Sequence, residues 1–237
     1  MSTSWAKIME DDRSGIYLNN TPNLPKFPMF LQQIEDNYFN PKKIDEFFEA
    51  NWQYSIHIAV FYLIAVYFGR QFMKNRPALE LRLPLILWNL ILSVFSICGA
   101  YRFIFGFYQL AKNHGLKGTL CATYYYHSTP EGFWVLLFVL SKVPELVDTF
   151  FIVARKKKLI FLHWYHHATV LTYSFYLYKD RLAGGAYYGA MNFTVHAIMY
   201  TYYFFAACKI RLPKWVSMTV TESMENSSRT SKFFWGQ

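Results

Sequence analysis

An all-helical membrane bundle is the fold class that this sequence predicts. Of the 237 residues, 54% are apolar. They fall into blocks of about twenty residues, which is the length that a helix needs to cross a bilayer. Aromatic residues make up 21% of the chain, and tyrosines and tryptophans at the block ends are typical of membrane interfaces. Short basic runs separate the blocks, as the topology signals of membrane proteins do.

The chain divides into three regions of different character. Residues 1–53 are mostly polar, and three prolines within residues 1–30 predict a flexible start. Residues 41–53 predict a short amphipathic helix that leads into the membrane. Residues 54–212 form the predicted membrane domain. Residues 213–237 form a polar, Ser-rich tail without periodicity, which predicts disorder.

The membrane domain contains five apolar blocks, and each predicts one spanning helix. The fifth block carries no formal charge, whereas the third carries three charged side chains. The blocks cover residues 54–68, 84–108, 133–153, 159–178 and 182–208.

The net charge of +9 could indicate a nucleic-acid-binding protein. The basic residues lie in short runs next to apolar blocks, however, so acidic lipid head groups or a phosphorylated substrate suit them better, and we expect no nucleic acid. The first and third loops and the segment after the fifth block are the basic ones. The positive-inside rule therefore predicts a lumenal N-terminus and a cytosolic C-terminus. The run 155–158 is either a cytosolic anchor or a contact for phosphates.

The fourth block carries the strongest functional signal, an HxxHH pattern formed by His163, His166 and His167. Positions i, i+3 and i+4 share one face of a helix. Imidazoles within a membrane span are costly and usually functional. The alternative is three core histidines that bond to neighbouring groups, and the rarity of ionisable groups in spans makes it the less favoured one.

The fifth block carries a second signal. Asn192 and His196 are one helical turn apart and share a face, and three tyrosines follow on the next turn. Tyr200, Tyr202 and Tyr203 alone could be an interfacial belt. An amide and an imidazole deep in the same helix favour a functional site.

The third block carries Lys142, Glu145 and Asp148 around Pro144. Lys142 and Glu145 can form an ion pair at i, i+3, and Pro144 predicts a kink. Charges within a span need partners or a wet cavity. A structural ion-pair network and a catalytic role explain these residues equally well.

Two chemistries use histidine boxes within membranes. The four histidines that could converge are His163, His166, His167 and His196, and they suffice for one metal ion. A di-iron centre of the histidine-box type needs more histidine ligands than the seven in this chain. Metal-free acyl transfer is the other chemistry, because a neutral imidazole is a nucleophile and a dry cavity protects an acyl-imidazole from water. Asn192 and the neighbouring tyrosines could then stabilise the oxyanion.

Taken together, these motifs resemble the ELO family of very-long-chain fatty acid elongases over roughly residues 35–218. The family's KxxExxDT, HxxHH and HxxMYxYY motifs occur here in order. Matching positions are Lys142, Glu145, Asp148 and Thr149; His163, His166 and His167; and His196, Met199, Tyr200, Tyr202 and Tyr203.

The resemblance implies a multi-pass enzyme of the endoplasmic reticulum membrane, a 3-oxoacyl-CoA synthase without a cofactor or metal. His166 would attack a long-chain acyl-CoA, and malonyl-CoA would then condense with the acyl group. His196 and Asn192 would assist, while His163, His167 and Asp148 would shape the site. Lys142, Glu145, Tyr200, Tyr202 and Tyr203 would bind substrate. Expected partners are the bilayer, other elongases or a second copy, and the reductases and dehydratase of the elongation cycle.

Within that family the chain looks closest to the subgroup that acts on saturated and monounsaturated acyl-CoA. The stretches KLIFLHWYHHATVLTYS, YKDRLAGG and MNFTVHAIMY carry this similarity.

Family members have seven spans, six of them in a barrel, whereas this sequence shows five. We therefore expect a truncated form without two helices after about residue 218, and an inactive partner of full-length elongase is one alternative function. A mononuclear metal oxidoreductase is the other alternative function.

Asn19 is a predicted lumenal glycosylation site.

Overall fold

The computed structural model describes residues 29–121, 126, 131–182 and 184–210, and every regular element within them is helical. Asn19, the predicted flexible start up to residue 28 and the predicted disordered tail lie outside the described residues. The helices are α1 (Met29–Tyr38), α2 (Pro41–Asn51), α3 (Tyr54–Met73), α4 (Arg82–Cys121), α5 (Glu131–Ser141), α6 (Val147–Ala154), α7 (Phe161–Asp180) and α8 (Gly185–Ala207).

The all-helical prediction is confirmed, and helices occupy the positions of the five apolar blocks. The third block is divided into α5 and α6 by a 3₁₀ turn at Pro144–Leu146, so the kink expected at this proline is present. By length and composition alone, two of the described helices, Tyr54–Met73 and Arg82–Tyr108, suffice to cross a bilayer. The total of five spans stays a prediction.

The outer faces of α3 and α4 are apolar. Phe61 and Phe68 on α3, and Leu83 and Ile91 on α4, expose more than half of their surface. Water disfavours such a continuous apolar surface, whereas lipid chains solvate it without cost. This distribution is that of a membrane protein, in which the buried side of each helix faces its neighbours and the exposed side faces lipid.

Helices α4 and α8 pack antiparallel along most of α8. The contacts run from Arg82, whose Nε donates to the carbonyl of Ala207, to the ring contact between Phe107 and Tyr187. At the middle of the pair the backbone of Gly99 lies against the ring of Phe193, where an added Cβ would be only 2.4 Å from the ring. Glycine is therefore required for the helices to approach this closely.

Helices α2, α3 and α7 form the other side of the bundle. Pro41 lies at the first turn of α2, which begins at the side-chain cap of Asn40 on the amide of Lys43. Phe48 of α2 is almost fully buried and packs on the rings of Phe175 and Tyr178 of α7. The amphipathic helix predicted within residues 41–53 is thereby confirmed, and its apolar face lies on α7.

Helix α1 was not predicted from the sequence. Its Glu35 is 2% exposed and accepts two hydrogen bonds, at 2.9 and 2.7 Å, from the guanidinium of Arg102 on α4. The indole of Trp134 on α5 donates to the same carboxylate at 2.8 Å. A buried arginine within an apolar helix is thus neutralised by the segment that precedes the first spanning helix.

Candidate active site

The 3₁₀ turn between α5 and α6 is the centre of the candidate site. Around Pro144 the backbone bonds shorten from i−4 to i−3, as in the bonds from Lys142 N to Val139 O and from Val143 N to Leu140 O. Proline lacks the amide hydrogen that a continuous helix uses, so the helix is interrupted there. This interruption lies between Lys142 and the pair Asp148 and Thr149, and these three side chains together contact four other helices.

The ammonium group of Lys142 makes the first of these contacts. Its Nζ donates to Glu145 Oε1 at 2.7 Å and Oε2 at 3.0 Å, and to Asn192 Oδ1 of α8 at 2.9 Å. It also lies 4.4 Å from the ring centroid of Phe138. Ser141 Oγ lies within hydrogen-bond distance of Glu145 Oε1. The i, i+3 ion pair expected from the sequence is present, and its two charges are almost completely buried.

Asp148 makes the second contact, with α4 and α8. The indole of Trp88 donates to Oδ1 at 2.7 Å, and the hydroxyl of Tyr200 donates to Oδ2 at 2.6 Å. Each carboxylate oxygen therefore has a donor from a different helix. The sequence left a structural network open as one explanation of Lys142, Glu145 and Asp148. Such a network is present in the fold.

Thr149 makes the third contact, between α3 and α7. Its hydroxyl lies 2.7 Å from the hydroxyl of Tyr62 and 3.1 Å from Nε2 of His163. Tyr62 and Thr149 are both buried. The turn at Pro144 thus connects α3, α4, α7 and α8 through successive side chains of one short segment.

The histidines of the HxxHH pattern lie together on α7, next to this segment. The ring centroids of His163 and His167 are 4.4 Å apart, and those of His166 and His167 are 6.0 Å apart. His196 of α8 places Nδ1 3.7 Å from Glu145 Oε1, and His166 and His196 lie within electrostatic range of each other and of Lys142. Four imidazoles, a buried ion pair and the Asn192 amide therefore adjoin one region.

The remaining predicted site residues lie at the edge of this region. Tyr202 packs against the cluster of Leu92, Met199 and Tyr200. Tyr203 is 37% exposed, and its ring is 6.5 Å from that of Tyr200. Of the three tyrosines expected to bind substrate, Tyr200 donates a hydrogen bond to Asp148.

Sequence reasoning missed Trp88 and Tyr62. Both lie in apolar blocks, and neither is close in sequence to the residues it contacts. An indole N–H and a phenol O–H are the donors that such blocks can hold at low cost. Their position inside a block, rather than at its ends, is the one signal that the sequence offers, and it does not show which residue each of them contacts.

Metal binding has no support from the arrangement of ligands. Among residues 29–121, 126, 131–182 and 184–210, no three His, Cys, Asp or Glu side chains are grouped in a way that could hold a metal ion. The imidazole rings of His163 and His167 have centroids 4.4 Å apart, and their planes make an angle of 59°.

Comparison with known proteins gives a consistent set of relatives. Residues 47–223 match the GNS1/SUR4 family. The chain is 44% identical over 194 residues to very long chain fatty acid elongase 6 of Mus musculus, which covers 81% of this chain and 73% of the mouse protein. The identity and coverage are the same for elongase 6 of Homo sapiens. Very long chain fatty acid elongase 3 of Homo sapiens is 43% identical over 185 residues, or 78% of this chain and 68% of that protein.

Proposed function

This chain belongs to the GNS1/SUR4 family and acts in fatty acid elongation, and we propose that it carries out the condensation step. In this step a long-chain acyl-CoA and malonyl-CoA give 3-oxoacyl-CoA, CoA and carbon dioxide. The observation that carries the proposal is the position of His166, on the same helix face as His163 and His167, with its ring centroid 6.0 Å from that of His167 and the buried Lys142–Glu145 pair within electrostatic range. A nucleophilic imidazole in a water-poor, polar pocket suits acyl transfer.

The first half-reaction forms an acyl-imidazole. A neutral nitrogen of His166 attacks the thioester carbonyl, and the carbon–sulfur bond breaks. CoA leaves as a thiolate that takes up a proton from solvent, while the acyl-imidazole keeps the proton on its other ring nitrogen and carries a positive charge. The oxyanion that forms on the way needs donors, and the buried ammonium group of Lys142, which lies 2.9 Å from Asn192 Oδ1, is the charged donor that we assign to it. Asn192 and His196 supply the second wall of this site from α8.

The second half-reaction forms the carbon–carbon bond. Malonyl-CoA loses carbon dioxide, and the electron pair of the broken bond becomes the carbanion that attacks the acyl carbonyl. Because its other ring nitrogen has kept a proton, the imidazole of His166 leaves as a neutral group with the electrons of the carbon–nitrogen bond and is ready for the next cycle. Asp148 holds Tyr200 and Trp88 around this site. The reaction is neither an oxidation nor a reduction, so the proposed steps need no redox cofactor.

The test is turnover by membranes that contain the full chain, with palmitoyl-CoA and labelled malonyl-CoA as substrates. We expect His166→Ala to abolish condensation, because no acyl-imidazole can form. The matched control is His57→Ala, since His57 is an exposed histidine of α3 whose ring contacts the backbone carbonyl of Gln53 and the ring of Tyr54 within the same helix end. Full turnover by the His166 variant would remove His166 from the role of nucleophile.

Metal analysis of the purified protein separates acyl transfer from the competing oxidoreductase chemistry. A metal bound at one equivalent and lost in His163→Ala or His167→Ala would favour a mononuclear metal enzyme. Condensation by the metal-free protein would support the acyl-imidazole. Absence of turnover in the wild type, with a stable association with a full-length elongase, would support the role of a membrane partner.

We further propose a location in the endoplasmic reticulum membrane, with the N-terminus in the lumen and the C-terminus in the cytosol. The basic loops support this orientation. Glycosylation at Asn19 would report it, because only a lumenal sequon is modified. A mobility shift that is lost in Asn19→Gln is the expected result, whereas modification at Asn226 in the C-terminal tail would reverse the assignment. The subgroup resemblance further favours saturated and monounsaturated acyl-CoA as substrates.

A further inference from the structure

Tyr62 of α3 is connected to the histidine cluster by a chain of two hydrogen bonds. Its hydroxyl lies 2.7 Å from Thr149 Oγ1, and the same oxygen lies 3.1 Å from Nε2 of His163. Tyr62 is 6% exposed and Thr149 is 1% exposed, so water does not compete for these contacts. Tyr62 lies outside the three sequence motifs of the site.

Thr149 uses its hydroxyl differently from three of the four threonines of α7 and α8; the fourth, Thr201, contacts Ser93 of α4. Thr169, Thr172 and Thr194 each donate to a carbonyl of their own helix, three or four residues earlier. That local bond is the usual outcome for a threonine within a helix. The hydroxyl of Thr149 instead lies between side chains of two other helices, one of which carries the HxxHH pattern.

The number of hydroxyl hydrogens decides which group donates in each of these two hydrogen bonds. A threonine hydroxyl has one hydrogen, so Thr149 donates either to Tyr62 or to His163. If Thr149 donated to Tyr62, the phenol hydrogen would be buried without a partner among the described residues, which is costly. If Tyr62 donates to Thr149, the hydrogen of Thr149 goes to Nε2 of His163, and both hydroxyl hydrogens are satisfied.

We propose that Tyr62 is a positioning residue that acts through Thr149 to hold His163 with an unprotonated Nε2 and a protonated Nδ1. This inference rests on the proposed acyl transfer for its effect on turnover. The orientation of the ring follows from the hydrogen bonds alone. A neutral imidazole held in one tautomer presents a donor on the edge of the ring opposite Thr149, as positioned histidines do in other active sites. His163 thereby keeps one orientation beside His167, whose ring centroid is 4.4 Å away.

The kinetic test uses Tyr62→Phe, Thr149→Val and the double variant, each of which keeps the shape of the side chain while removing hydroxyls. Loss of one hydrogen bond in the chain is expected to lower kcat roughly 2- to 12-fold without a change in KM for acyl-CoA. Because the two residues act in series, the double variant is expected to be no slower than Thr149→Val alone. Thr149→Ser, which retains the hydroxyl, should restore most of the lost kcat.

The matched control is Tyr178→Phe. Tyr178 is a buried tyrosine of α7 whose hydroxyl has no partner among the described residues. Its loss should leave kcat unchanged. Multiplicative losses in the Tyr62 and Thr149 double variant would show that the two hydroxyls act independently, and an equal loss in Tyr178→Phe would show a general effect of removing a buried hydroxyl. Either result would overturn the proposal.

A second measurement reports the tautomer without turnover. The nitrogen-15 chemical shifts of histidine-labelled protein in lipid bilayers separate protonated from unprotonated ring nitrogens, and comparison with His163→Gln assigns the signals. Wild type and Tyr178→Phe should show His163 protonated at Nδ1, while Tyr62→Phe should show a mixture of tautomers. A wild-type His163 protonated at Nε2, or an unchanged tautomer in Tyr62→Phe, would overturn the proposal. Wild-type protein that fails to condense malonyl-CoA would overturn the proposed function alone.

Discussion

Replacement of Lys142 by methionine tests whether the buried ion pair holds the site together. Lys142 is 3% exposed and Glu145 is 5% exposed, so solvent provides little screening of either charge. Methionine keeps most of the volume of the lysine stem but removes the ammonium group. The carboxylate of Glu145 then stays buried with Ser141 Oγ as a hydrogen-bond partner and without its counter-ion.

The expected cost is large because the change leaves an uncompensated charge rather than only breaking a contact. Removal of one partner of a buried ion pair typically costs about 3–5 kcal/mol. Lys142 also donates to Asn192 Oδ1, so a buried amide loses its partner at the same time. For a chain of this size, 1 kcal/mol corresponds to a shift in Tm of about 2–4 °C, which gives an expected fall of roughly 6–20 °C.

The double variant Lys142→Met with Glu145→Leu removes both charges and separates charge burial from packing. We expect its Tm to lie above that of Lys142→Met alone, because replacement of a whole buried pair by apolar side chains is often neutral or stabilising. The control is Lys158→Met, in which an exposed lysine is lost and the expected change is within about 0.5 kcal/mol.

The assay is thermal unfolding of purified protein in one detergent at a single scan rate, since membrane proteins often unfold irreversibly and the midpoint then depends on that rate. Turnover is measured in parallel, and both Lys142 variants should be inactive if this ammonium group stabilises the oxyanion. A Tm for Lys142→Met equal to that of Lys158→Met would refute the energetic reasoning. So would a double variant less stable than the single one.

Two further predictions concern packing away from the site. Gly99→Ala should destabilise the α4–α8 pair by about 1–3 kcal/mol, because its Cβ would lie 2.4 Å from the Phe193 ring. The matched control is Gly69→Ala, in which the nearest neighbouring atom would be 3.7 Å from the new Cβ. Equal Tm values for the two variants would contradict the reasoning. Arg102→Leu should cost about 3–5 kcal/mol and make the segment around Glu35 more sensitive to limited proteolysis, whereas an unchanged cleavage rate would show that this ion pair does not hold α1 in place.

Much of the candidate site could be predicted from the sequence because its residues are out of place in their blocks. Histidines at i, i+3 and i+4 in an apolar helix, or an asparagine and a histidine one turn apart, are costly in a membrane and so indicate function. Helix geometry alone places His163, His166 and His167 on one face. The i, i+3 spacing also predicted the pair of Lys142 and Glu145, and that prediction is confirmed.

The partners of Asp148 and Thr149 could not be predicted in this way. Trp88 precedes Asp148 by 60 residues and Tyr62 precedes Thr149 by 87, and no local pattern reports contacts over such separations. An aromatic residue in an apolar block has the same sequence signature whether its polar atom meets lipid, a core or a carboxylate. The pairing of Arg102 with Glu35 was missed for the same reason.

The sequence by itself determined the helical class, the apolar blocks, the break at Pro144 and the identity of the residues with unusual chemistry. These properties depend on composition and on contacts within one or two helical turns, where spacing along the chain sets spacing in space. Only the tertiary structure decided which helix supplies each hydrogen bond. Side chains of α3, α4, α7 and α8 meet at the Pro144 turn because the interrupted helix directs Lys142, Asp148 and Thr149 toward different neighbours, and such contacts depend on how helices pack rather than on their order.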